Sequence, residues 1–152
     1  MSYSTAQARQ EMLDAIAEAI DEIAVALAAL GGAYELLDET TADTLEEQLF
    51  RPVQLAYGRA KRAHSGFAER HGLPGRTFQA ATSGLPSHGV AGFVEQAGDA
   101  AAEADELLAA LQDSLRPVEV GDAELRAGLA DVRTLLSELP GRSAALMRTF
   151  GR

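Results

Sequence analysis

The stretch Leu13-Asp14-Ala15-Ile16-Ala17-Glu18-Ala19-Ile20-Asp21-Glu22-Ile23-Ala24-Val25-Ala26-Leu27-Ala28-Ala29-Leu30-Gly31-Gly32-Ala33-Tyr34-Glu35-Leu36-Leu37 carries large apolar side chains at 13, 16, 20, 23, 27, 30, 34 and 37. Steps of three and four keep these residues on one stripe of an α-helix, because 3.6 residues complete a turn. Gly31-Gly32 would ordinarily end a helix, yet Tyr34 and Leu37 keep the phase. The expectation is therefore one helix, kinked or locally loosened at the glycines, with a break there as the alternative.

Outward from this seam the same period recurs. Asp38 to Thr44 supply turn and cap residues, with Thr44 and Glu47 spaced as a capping box. A second helix follows with Leu45, Leu49, Val53, Ala56, Ala60, Ala63 and Phe67 on one face, through about Arg70, and Pro52 is expected to kink it. From Gly72 to Gly89 the periodicity gives way to Gly, Pro, Ser and Thr, which reads as a long crossover loop. A third helix is expected from about Val90 to Leu115, closed by Pro117 and Gly121, with Asp122 as the N-cap of a fourth. In the fourth, Leu125, Leu129, Val132, Leu136 and Leu139 alternate by four and three, and Pro140-Gly141 should break it, leaving Leu146 and Phe150 in a short terminal helix. No strand-like alternation competes. The predicted fold is all-α: residues 1–152 as one domain, an antiparallel four-helix bundle of two hairpins joined by a long crossover.

Composition bounds the function. A chain of 152 residues, 47% hydrophobic and 24% charged, is large enough to bury a core. It has no cysteine, which excludes disulfides, thiolate metal sites and cysteine nucleophiles. The first residues run into an acidic amphipathic helix rather than a basic patch and apolar stretch, so a cytoplasmic location is expected. No apolar run approaches the ~20 residues of a membrane span. A net charge of −10 argues against nucleic acid and anionic membranes as partners.

The charges are unevenly placed. Eleven acids and no base lie between Glu11 and Glu47, whereas Arg51 to Arg76 hold six bases and one acid, Glu69. An antiparallel hairpin would set Glu11 near His71 and Glu18 near His64, with Arg59, Lys61, Arg62 and Arg70 neutralising the first helix. The functional alternative gathers Arg59, Arg62, Arg70, His71, Arg76 and His88 near the crossover as a site for a small anion or an acidic partner. Ser87, His88 and Gly89 would add the amides of a helix start.

Catalytic and metal motifs are sparse. The residues three before His64, His71 and His88 are Lys61, Ala68 and Leu85, so the Glu-x-x-His pairs of di-iron bundles are absent, and the histidines read as surface residues. Glu103-x-x-Glu106 followed by Glu119-x-x-Asp122 resembles the carboxylate pattern of the all-α nucleoside triphosphate pyrophosphohydrolases, which implies magnesium held against a nucleotide's phosphates. In a hairpin turning near Pro117, however, the four carboxylates do not converge, and Glu-x-x-Asp recurs at Glu11/Asp14, Glu18/Asp21 and Glu35/Asp38. The leading expectation is a non-enzymatic helical interaction protein, without metal or cofactor, that self-associates or binds a protein partner; an anion-binding module comes second and a magnesium-dependent pyrophosphohydrolase last.

Overall fold

The computed structural model describes residues 4–85 and 88–150. Ser4 starts the first helix, α1 (Thr5–Glu35), by accepting the Gln7 amide at 3.0 Å, which satisfies a donor that helix starts leave open. α1 runs unbroken through Gly31 and Gly32. Asp38, rather than the expected Thr44, caps the next helix, α2 (Glu39–Leu45): its carboxylate accepts the Thr41 amide and hydroxyl, each at 2.8 Å. Thr44 then lies within the helix and its hydroxyl donates to the Thr40 carbonyl. The earlier cap prevails because it lets Ala42 and Leu45 be buried.

Between α2 and α3 (Arg51–Arg70) lies a π turn, Glu46–Phe50, in which the Arg51 amide donates to the Glu46 carbonyl five residues back. Pro52 accounts for it. The proline ring has no N–H for the Gln48 carbonyl four residues earlier and would press against it. The wider turn accommodates the ring, and the Gln48 carbonyl, which Pro52 cannot serve, accepts from Arg142 Nη1 at 3.3 Å. A π turn thus takes the place of the expected kink.

The second half holds α4 (Gly89–Asp113), a single turn α5 (Arg116–Glu119) and α6 (Ala123–Phe150). Leu115, expected to face inward, instead adopts a left-handed conformation (φ 64°) where the chain leaves α4, and its side chain is 55% exposed. Asp122 caps α6 as expected, accepting the Leu125 amide at 2.8 Å. The break expected at Pro140-Gly141 does not occur. Pro140 faces solvent while Leu139, Ser143 and Leu146 are buried, and the Ser143 hydroxyl donates to the Val94 carbonyl. Tertiary packing of this face outweighs the ~3 kcal/mol that an interior proline costs locally.

Four long helices enclose one core, with α1 packed on α4 and α3, and α6 packed on α4 and α3. Arg116 pairs with Glu11 at one end, and Phe93 meets Gly32 at the other, so α4 runs antiparallel to α1. Arg70 pairs with Asp122, and Arg142 reaches Gln48, so α6 runs antiparallel to α3. Neighbours around the ring are therefore antiparallel, and the 71–88 crossover must travel the length of the bundle. It is tied down midway by Arg76, which pairs with Asp21 of α1 at 2.9 Å, and by Phe78, packed edge-on to His64 with ring centroids 5.2 Å apart.

Candidate functional site

α3 and α6 approach closely where Ala63 faces Gly128: a methyl placed at Gly128 would come within 3.1 Å of the Ala63 methyl. Above this contact lies an open groove of about 400 Å³, with Arg59, Arg62 and Arg70 along the α3 side and Glu124 and Asp131 along the α6 side. Glycines in α3 make room for the arginines. A side chain at Gly58 would meet Arg62 Nη1 at 3.5 Å, and one at Gly66 would meet Arg70 Nη1 at 3.0 Å, so each guanidinium lies back along the helix over a glycine four residues earlier.

The arginines of α3 therefore face α6, not α1 as the charge pattern suggested. Arg70 pairs with Asp122 at 2.9 Å and with Glu124 at 2.6 Å. Lys61 sits over the Tyr57 ring, 4.2 Å from its centroid. Glu11, expected opposite His71, pairs with Arg116 at the start of α5, which follows the C-terminal end of α4. Among the described residues Arg59 and Arg62 form no ion pair, in contrast to Arg70, Arg76, Arg116, Arg133 and Arg142.

Arg70 and His71 do converge on a carboxylate, but the chain supplies it. Asp122 accepts from Arg70 Nε at 2.9 Å and Nη2 at 3.0 Å, from the Leu125 amide, and from His71 Nε2 at 2.9 Å. An ionised carboxylate can only accept, so His71 carries its proton on Nε2. The Arg70 guanidinium foremost, then the Leu125 amide and His71, hold the Asp122 carboxyl well below the usual range. Arg76 lies elsewhere, over Phe78 and on Asp21. His88 is at the opposite end of the bundle, its ring 5.7 Å from that of Phe93. Ser87 lies outside the described residues. The six candidates thus divide into a groove trio, Arg59, Arg62 and Arg70, with His71 beside it and Arg76 and His88 apart. Among the described residues no group of three or more acids and histidines is placed to hold a metal ion, and Asp122 of the Glu119-x-x-Asp122 pair is bound to Arg70.

His64, expected at the surface, is instead buried within the bundle. It is 3% exposed and its Nδ1 has no hydrogen-bond partner. Its position four after Ala60 and three before Phe67 put it on the apolar stripe, which was the available signal. Burial first, then the charge of Arg76, lowers its pKa, opposed by Asp14 and by the Leu13 carbonyl. A folded-state value below the unfolded one means that the unfolded chain takes up its proton first as pH falls, so acid favours unfolding. The urea midpoint is accordingly expected to drop as the pH falls below about 6.5, the ordinary histidine value, and to drop less in His64→Leu. Equal slopes for the two proteins would show that His64 is not the group responsible.

On the far edge of the bundle, α1 and α4 bring like charges together: burial, then Glu103, Asp21 and Glu18, raise the pKa of Glu22. No protein-family model, curated protein or solved structure matches this chain.

Proposed function

We propose that this protein is a non-enzymatic helical interaction module that self-associates, the groove between α3 and α6 of one copy receiving the acidic α1–α4 edge of another. The observation that carries this reading is the pair Arg59 and Arg62, two cations without an acid partner among the described residues, on the rim of a groove floored by Ala63 and Gly128. Small floor residues let a helix approach closely, and arginine's fork matches carboxylates. The opposite edge offers Glu18 and Glu103, both exposed, beside the crowded Glu22. The acids of the α6 rim favour an extended partner with spaced charges over a free small anion, and at Arg70 such an anion would have to displace Asp122.

The net charge of −10 opposes association at long range, but at about 0.15 M salt the Debye length is only ~8 Å, so local pairing governs contact. Sedimentation at rising concentration should show a reversible dimer or larger species. The variants Arg59→Glu/Arg62→Glu and Glu18→Arg/Glu103→Arg should each be monomeric alone and associate when mixed, since only the mixture restores opposite charges. A wild-type chain that stays monomeric, or variants that associate as well alone as mixed, would refute the reading.

A further inference from the structure

The end of the bundle where α1 meets the π turn has a cleft of about 210 Å³, bounded by Gly31, Tyr34, Glu35, Glu46 and Phe50. We propose that this cleft binds an organic cation, a guanidinium or ammonium group on a short alkyl stem.

Two aromatic rings shape it. Tyr34 is 41% exposed although it lies on the apolar stripe of α1, and its ring stands 6.5 Å from that of Phe50, inclined at 47°. Tilted rings at this separation leave a wedge whose faces carry the negative side of the aromatic quadrupole, the surface that attracts a cation. The surroundings have the same sign. Glu35 and Glu46 form no ion pair among the described residues. The cleft also lies at the C-terminal turn of α1, where the carbonyl ends of a helix bear about half a negative charge, and that turn holds no basic residue. A 31-residue helix that ends on an acid with no compensating base leaves this negative potential for an incoming group. An anion would meet two carboxylates, and a neutral apolar group would desolvate them without pairing them. At this volume the cleft falls below the roughly 300–1,000 Å³ of sites for drug-sized ligands, which suits a single cationic group. Gly31 keeps the space open: a methyl placed there would touch nothing within 4 Å.

The test is a titration with n-butylguanidinium chloride followed by proton NMR, with n-butanol as the uncharged control. Saturable shifts confined to the Tyr34 and Phe50 rings, with Tyr57 unmoved, are expected. Gly31→Leu fills the cleft while leaving both carboxylates, and Glu46→Gln removes one charge while leaving the shape; each should weaken binding at least about tenfold with unchanged helical circular dichroism. A pentapeptide with arginine between glycines forms the second arm: tighter binding than the free cation assigns the natural ligand to a protein chain, and weaker binding to a small molecule. Equal shifts with butanol, full binding by Gly31→Leu, or no shift at any soluble concentration would overturn the proposal.

Discussion

Replacement of Asp122 by alanine is expected to lower the stability of the protein by about 3 kcal/mol. The loss has three sources. Asp122 is the N-cap of α6, and removal of an N-cap acceptor costs about 0.5–2 kcal/mol. It also accepts two hydrogen bonds from Arg70, and charge-assisted bonds contribute about 1.5–3 kcal/mol where they are partly shielded. Exposure of 33% for Arg70 and 27% for Asp122 puts this pair at the lower end of that range. His71 loses its carboxylate as well. For a chain of this size the melting temperature should fall by roughly 6–12 °C. Asp122→Asn separates the sources, because asparagine caps as well as aspartate but carries no charge, and it should lose about half as much. The pH dependence adds a check. A carboxyl held below its unfolded value stabilises fully above about pH 4, the unfolded value, and that contribution disappears as the pH falls through the folded one. The gap between wild type and Asp122→Asn should therefore be constant near neutrality and close in strong acid. A gap that widens there, or an alanine variant as stable as wild type, would remove Asp122 from its place as the joint between α3 and α6.

The legible part of this molecule was its periodicity. The four long helices, most of their buried stripes and the Asp122 cap follow from spacing alone, since burial of a stripe is a property of one helix and its sequence, whereas Tyr34 and Leu115 leave their stripes and are exposed. What spacing could not supply was the azimuth of each helix relative to its neighbours. Sequence order pairs the α3 arginines with α1, whereas α3 has two neighbours and the arginine side of its stripe turns towards α6. The prolines failed for a related reason. Pro52 and Pro140 are local penalties, and their outcome was decided by remote groups: Arg142 takes up the carbonyl that Pro52 cannot serve, and buried Ser143 and Leu146 hold α6 together past Pro140. The groove arginines were found from sequence as a basic cluster, but their partition into paired Arg70 and unpaired Arg59 and Arg62 depends on two acids more than fifty residues away.

The paired glycines of α1 are expected to respond to substitution with opposite signs. Both sit in helical backbone, so neither is needed for its conformational freedom, and each costs about 0.8–1 kcal/mol of helix propensity relative to alanine. Gly31 meets nothing within 4 Å, so Gly31→Ala should recover part of that cost, about 0.5–1 kcal/mol this close to the helix end. Gly32 is the seat of Phe93. A methyl there would lie 2.9 Å from two atoms of that ring, and the ring, 1% exposed where α4 packs on α1, has no free volume into which to retreat. Gly32→Val places three carbons in this contact and should cost about 2–3 kcal/mol, the usual penalty for overpacking a filled core. Urea unfolding of the two variants measures both, with unchanged slopes as evidence that only the folded state has shifted. The opposition is the decisive feature, because a hinge at Gly31-Gly32 would make both substitutions stiffen the same joint and shift stability in the same direction. If Gly32→Val matched the stability of Gly31→Ala, the close α1–α4 approach at Phe93 would be wrong; if both were strongly destabilising, the open space beside Gly31 would be wrong, and the cation cleft would lose its floor.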